Sequence, residues 1–584
     1  MSLLASPSLE SRLMNLIAGQ LLATGDGFGP DSNLFEAGLD SMSIMQLLLL
    51  IEEEFGVAIP VDQLSRENFA TVSTIARLVR GRMTGDGAGE SASPAGPVLP
   101  AVPPTAGPPA PEPAPATPAT PATPAAPEPG FPLPLLNCDH FVLAFDLMMR
   151  ESGQGGHIAH SVVELAAPPD LARLREALRE MAARHPLIGA TLHRRWGFVG
   201  PWEWRPATVR QEIPVIPVAE AGSPGALAAQ GLTETISPTP DVHTATEDWA
   251  NTPLDRPGRH GWTKARMVVI ERRDGSARLI FSWSHLMLDG VGAQIFLAEV
   301  SRLMADPAAA TADPVPALER PTPTGRNYLL EWQNSVPMVR YFNELLNEPF
   351  DSLGARRPTP GKIRFRTVTL DEPATARVLA RCTALCGPLV NLPFYLAAAM
   401  RAHDRVFQAR GKRPASQMVN VPIQSRRKGA RGPIFQNHLG MFFARLSAAQ
   451  LDRLDSAVQA LLELHGRWLR EKLGESFDSL MSVMRPMPPR LHMRFIQWQM
   501  RGQLTSLFHS HTGEFARDLT TFGGVRVTGA YHVPGFSNPP GTGLFCNECH
   551  GRLVITQCWR EGVLTEAERA LMLDAFLQDL GAHE

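Results

Sequence analysis

The chain has 584 residues, 44% of them hydrophobic, enough for sizeable cores and for more than one domain. A net charge of -3 leaves no basic excess for gripping a nucleic acid backbone, and no apolar run approaches the length of a membrane span. Six cysteines in so long a chain do not make a disulfide framework. Residues 1–12 carry Glu10 and Arg12 and no signal-peptide h-region, so a cytoplasmic protein with neither nucleic acid nor membrane partners is expected.

Leu9, Leu13, Leu16, Ile17 and Leu21 fall at helical spacing, and the glycines from Gly25 to Gly29 break the pattern. A second helix runs from Ser41 to about Phe55, with Ile44, Leu47, Leu48 and Ile51 as its apolar stripe. Thr71 is placed to cap a last helix through Ile75, Leu78 and Val79. Four short helices over residues 1–83 predict a small all-α bundle. Ser41 falls at a helix N-terminus, where free N–H groups and the helix dipole favour a phosphodiester; the alternative is a plain N-cap. Glu52, Glu53 and Glu54 either steer basic partners or form a solvated helix end.

Over residues 84–130 the composition turns to Pro, Ala, Gly and Thr, with a near-repeat of Ala-Thr-Pro at 116–124. Such a segment buries no core and favours extended polyproline II. At roughly 3.1 Å per residue it is a semi-rigid tether spanning on the order of 100 Å.

Residues 131–584 form one block without a second linker. Asp274-Gly275 supplies the turn before an alternating strand over 277–284. That strand ends on His285, turns through Asp289-Gly290, and restarts as a helix with Val291, Ile295, Val300 and Leu303 inward. A histidine held at a strand end is suited to proton transfer near neutral pH; the alternative is a buried structural histidine. With three residues between them, the chain would have to fold back sharply for Asp289 to pair with His285 as in a hydrolase triad. Gly290 is expected to permit the turn. Thr565 and Glu568 form a capping box for a final helix reaching Leu580. Cys546-Asn547-Glu548-Cys549-His550 spells a haem-attachment pattern, but it falls at the turn of a predicted hairpin and no second pair exists for zinc, so no metal is expected.

Two stretches carry resemblances. Leu34-Phe35-Glu36-Ala37-Gly38-Leu39-Asp40-Ser41-Met42-Ser43 resembles the L-F-x-x-G-x-D-S pattern of acyl and peptidyl carrier proteins. That resemblance implies 4'-phosphopantetheine on Ser41, attached by a phosphopantetheinyl transferase. Ser284-His285 with Asp289-Gly290 resembles the HHxxxDG motif of nonribosomal peptide synthetase condensation domains and the wider HxxxDG acyltransferases, which include wax ester synthases and chloramphenicol acetyltransferase. Ser284 stands in place of the first histidine. The resemblance implies an α/β domain of two chloramphenicol-acetyltransferase-like lobes with the site between them, His285 serving the transfer, and a structural Asp289 that holds the loop by a charge-assisted bond to an arginine the sequence does not identify.

Further along, Val419–Ile423 with Arg426 and Arg427, then Asn437-His438-Leu439-Gly440, resemble the wax ester synthase side of that family. Ser510-His511-Thr512-Gly513 falls where the family has S-N-x-G, so His511 and Ser284 are candidates to line the site; the alternative for His511 is an ordinary loop residue. The D-F-G-W-G latch is replaced by residues 519–524. Arg426, Arg427, Lys428 and Arg431 either receive the arm or the carrier's acidic helix, or form a solvated basic loop. Together these point to a carrier–condensation didomain, loaded in trans by an upstream synthase or loading enzyme. It would join an acyl group to an amine or alcohol on a small molecule or a second carrier. An epimerase would use the same motif, and the alternative to an enzyme is an inactive condensation-fold scaffold that recruits partners or presents cargo.

Overall fold

The computed structural model describes residues 8–24, 27–39, 41–59, 63, 65–84 and most of 131–583; left out of the last stretch are 197–198, 208–210, 232–234, 307–317, 321–327, 389, 427–431, 516 and 518. The expected tether thus lies outside the described residues, apart from Thr84.

The first unit is helical. Leu9–Leu16 is an α-helix capped by Ser8, whose hydroxyl accepts from the Ser11 amide, and the winding continues as a π-helical stretch over Ile17–Leu21. Ser41–Phe55 and Val72–Thr84 follow. Thr71 caps the last helix, its hydroxyl accepting from the Thr74 amide at 3.1 Å. Three α-helices are described here against the four expected; residues 60–62 and 64, between the last two, are not described. Leu13, Ile17, Ile44, Leu47 and Ile51 are buried in one core, which is the apolar stripe of each helix turned inward.

Residues 131–583 form two lobes. The first is built on a seven-stranded sheet, in the order Thr521–Phe522, Val525–Val533, Ile158–Leu165, Ala277–Ser284, Ala265–Glu271, Val215–Glu220, Ser237–Thr239. Leu279 and Phe281 enter the main core with residues of the helices Leu171–Arg184 and Gly290–Ala305. Ile280 joins Val268, Ile270 and Ala245 on the other face. Cover on both faces buries the Ala277–Ser284 strand almost throughout, Ser282 and Ser284 included, with only Arg278 partly exposed. Gly275, at φ 79°, supplies the left-handed turn before it.

The second lobe carries a four-stranded sheet, Phe508–Glu514, Thr542–Cys549, Arg552–Arg560, Ile363–Thr369, and an antiparallel pair, Ser416–Gln424 with Leu439–Ser447. Helices Leu392–Ala409 and Glu566–Leu580 pack on it. The capping box is present: Thr565 N donates to Glu568 at 2.8 Å and Glu568 N to Thr565 at 3.3 Å. From this lobe the chain hands Val525–Val533 back to the first, antiparallel to Ile158–Leu165. That exchange fixes the two lobes on either side of a shared cavity.

The helical unit rests on the second lobe. Val390 enters its core, Cys386 and Leu462 pack against it, and Glu53 approaches Lys472 at 3.5 Å. An exposed ion pair of this kind contributes little, about 0–1 kcal/mol, so the apolar contacts carry the docking.

Candidate functional site

The cavity between the lobes has a volume of about 730 Å³ and takes its walls from both. His285 sits in its wall at the end of the Ala277–Ser284 strand, and that strand end is pinned on both sides. The His285 amide donates to the His157 carbonyl at 2.9 Å and the Ser284 amide to the Lys264 carbonyl at 2.7 Å. Trp283 and His285 face the cavity. Ser284, a candidate to line it, does not: side chains alternate along a strand, and Ser284 is wholly buried on the opposite face with its hydroxyl unpartnered.

The imidazole is oriented by a side chain 152 residues away. His285 Nδ1 lies 2.9 Å from Asn437 Oδ1. Asn437 Nδ2 donates to Asp139 Oδ1 at 2.8 Å and to the His285 carbonyl at 2.8 Å. Both partners are acceptors, so the amide's nitrogen must face them and its oxygen must face the ring. His285 therefore carries its proton on Nδ1, and Nε2 holds the lone pair. Burial of the Asp139 carboxyl raises its pKa to about 6, against the pull of the Asn437 hydrogen bonds, so it is ionised at neutral pH and accepts as the network requires.

His157 stacks on His285, ring centroids 4.4 Å apart and planes within 9°. Burial, reinforced by His285 beside it, holds His157 well below the usual histidine pKa. Burial likewise lowers His285, opposed by the Asp289 charge and the Asn437 hydrogen bond. At neutral pH the pair is uncharged, and Nε2 is free to accept a proton.

Asp289 is occupied elsewhere. It caps the Gly290–Ala305 helix, Oδ1 accepting from the Gly292 amide at 2.8 Å. Oδ2 accepts from Arg426 at 2.6 Å and from the His438 amide at 2.9 Å. Arg426 is the arginine partner implied by the motif, and it is buried rather than part of a solvated loop. Arg427, Lys428 and Arg431 lie outside the described residues. Gly290 is not needed for a turn: its φ is not left-handed and a Cβ there would meet nothing within 4 Å. It lines the cavity instead. The glycine that packing demands is Gly292, where a Cβ would collide with the Ile434 carbonyl.

His511 is in the cavity wall, stacked on Tyr395 at 4.3 Å, and burial lowers its pKa to about 4. Near it on the same lobe, Asn420 Oδ1, Gln424 Nε2, His511 Nε2 and Thr512 Oγ1 are buried without partners among the described residues. Such atoms are costly unless something hydrogen-bonds them, and a ligand with neutral amides fits this wall. Among the described residues no cluster could hold a metal, the six cysteines are unpaired, and no helix is long and apolar enough to cross a membrane.

Ser41 is the first residue of its helix, at the end where the helix dipole favours a phosphate; Asp40 lies outside the described residues. The phosphopantetheine attachment site family matches residues 11–79. Aminoacyl carrier protein 1 of Bradyrhizobium diazoefficiens is 34% identical over 73 residues, 12% of this chain and 81% of that protein. Through its first domain, the chain belongs to the phosphopantetheine carrier family. The carrier domain is also 38% identical over 74 residues to the probable acyl carrier protein PigG of a Serratia species, covering 12% of this chain and 85% of that protein. The match means a covalent 4'-phosphopantetheine on a serine and a transferase that installs it.

The remainder has the fold of a condensation domain. It is similar to the first condensation domain of the calcium-dependent antibiotic synthetase, at TM-score 0.54 and 16% identity, over 78% of this chain and 96% of that one. It is likewise similar to the condensation domain from Monacolin K polyketide synthase, at TM-score 0.53 and 13% identity, over 77% of this chain and 96% of that one. At these identities the likeness is one of fold. Of the site, the sequence offered His285, Asp289, Ser41 and His511. It missed the parts played by Asn437, Asp139 and His157, of which only Asn437 lay in a stretch already singled out.

Proposed function

We propose that this chain is a carrier-dependent acyltransferase that joins an acyl group to an amine or alcohol, forming an amide or ester. The observation that carries the reading is the fixed His285 ring, with Nδ1 committed to Asn437 and Nε2 left with its lone pair in the cavity wall. In this reading Ser41 bears the phosphopantetheine, whose thiol holds the acyl group as an activated thioester. Carrier helix Ser41–Phe55 lies on the lobe that supplies Val390, and the next residues, Asn391 and Leu392, line the cavity. His285 Nε2 takes the proton of the attacking amine or alcohol as the new C–N or C–O bond forms. It returns that proton to the phosphopantetheine sulfur as the C–S bond breaks, leaving the free thiol on the arm, while Asn437 keeps the ring in the required tautomer. The unpartnered polar atoms of Asn420, Gln424, His511 and Thr512 hold the entering arm by its amides. Asp289 and Arg426 position the loop without touching the reactants. An upstream synthase or loading enzyme supplies the acyl group in trans, and the acceptor is a small molecule or a second carrier's cargo.

The test compares wild type with His285→Ala, each acyl-loaded on Ser41 and offered a panel of amines and alcohols. Product is read by mass spectrometry. Loss of a general base should lower transfer by about 10²–10⁴-fold, with loading of Ser41 unchanged. Equal rates across the panel and with the pathway's own acceptor would make the domain a scaffold.

A further inference from the structure

The cavity walls are unusual in what they lack. Among the described residues that line them there is no Asp, Glu, Lys or Arg. The polar groups are amides, hydroxyls and histidines, and burial holds those histidines uncharged at neutral pH, His160 and His509 at about 3 and His492, His511 and His532 at about 4.

These polar groups are also unevenly placed. The orphaned atoms of Asn420, Gln424 and Thr512 belong to the second-lobe strands. A different part of the wall, from helices Asn137–Glu151, Leu473–Met484 and Pro489–Gln499, presents Phe141, Phe145, Phe477, Met481, Met484 and Phe495, with His492 and Gln499 as its polar members. Phe495 and Trp332 line the cavity and also reach solvent, 37% and 51% exposed, so the apolar wall continues to an opening. Flexible methionines among aromatic rings accommodate a chain of variable shape. An ammonium group here would find no carboxylate, and an unpaired buried charge is strongly disfavoured.

Resting on the transferase reading, we propose that the acyl group taken by this cavity is an uncharged apolar chain, of fatty or polyketide type. It lies against the phenylalanine–methionine wall, and α-aminoacyl groups with a free ammonium are rejected. The names of some carrier relatives point to amino acids, but no described residue of the carrier domain lines this cavity, so the carrier does not set the cavity's preference.

The experiment measures binding, which needs no turnover. Butanoyl, octanoyl, dodecanoyl and 2-aminooctanoyl amides of aminopantetheine, in which an amine replaces the thiol so that the acyl group cannot be transferred, are titrated calorimetrically into the full chain. Affinity should rise with chain length, by at most about fourfold for each methylene removed from water, and then level off. The 2-aminooctanoyl amide should bind at least tenfold more weakly than the octanoyl amide. Met484→Trp, at a partly exposed position, should move the plateau to shorter chains, and Phe495→Trp, near the opening, is a second variant for the same wall. An aminoacyl probe that binds as tightly as octanoyl, an affinity independent of length, or a plateau unmoved in both variants while their circular dichroism is native, would overturn the proposal. Chain-length-dependent binding without transfer by wild type would sink the transferase reading alone; transfer with a preference for aminoacyl donors would sink this inference alone.

Discussion

Asp289 and Arg426 form a buried ion pair, their side chains 0% and 3% exposed, at 2.6 Å. Consider Asp289→Asn. The carboxylate accepts from Gly292 N on one oxygen and from Arg426 and His438 N on the other. Every partner is a donor, so in either flip the new amide's NH₂ meets an N–H. The guanidinium keeps only neutral acceptors, Pro433 O at 2.9 Å and Gln424 Oε1 at 3.2 Å the nearest. Leaving one buried partner uncompensated costs about 3–5 kcal/mol. Arg426→Met should cost a similar amount from the other side, because Asp289 then keeps two backbone amides and no countercharge. Asp289→Asn/Arg426→Met removes both charges and should recover part of the loss, with a coupling of about 2 kcal/mol or more. All ten tryptophans lie beyond residue 195, so urea unfolding followed by tryptophan fluorescence reports the condensation fold alone. Asp289→Asn within about 1 kcal/mol of wild type, or a double variant equal to the sum of the singles, would refute this account of the pair.

Four further outcomes follow from the geometry and the carrier match. Asn437→Leu should lower kcat by at least about 10²-fold with little change in KM, since His285 loses the acceptor that fixes its tautomer; a KM effect alone would remove Asn437 from the positioning role. Because burial lowers the His285 pKa, the base form persists below pH 6.5, so the transfer rate should hold through neutrality and fall only under that value. A fall centred above 6.5 counts against His285. Stability should also decline in acid: His403, His509 and His511 are held neutral in the fold, at about 4, 3 and 4, but charge near 6.5 when unfolded. The unfolded chain thus binds more protons below pH 6.5, and the urea midpoint should drop from there towards pH 4 and stay level above neutrality. Intact-mass analysis after treatment with coenzyme A and a promiscuous phosphopantetheinyl transferase should show one added group, absent in Ser41→Ala; addition surviving in that variant would move the site.

What the sequence determined by itself was local. The apolar alternation from Ala277 to Ser284, the left-handed turn at Gly275, the caps at Thr71 and Thr565, and the helix opening at Ser41 each depend on residues a few positions apart, and each is present. The same short-range pattern marked out His285 and Asp289. It misplaced Ser284, because a motif gives adjacency whereas strand alternation gives the face, and it gave Gly290 a backbone role that belongs to packing at Gly292. Only tertiary structure decided how the site is held. Asn437 reaches His285 across 152 residues and Asp139 across 298, and Arg426 reaches Asp289 across 137. No periodicity links such positions. They meet because burying the two sheets and their helices brings the lobes together, and each buried polar group must then find its partner wherever the chain has placed one.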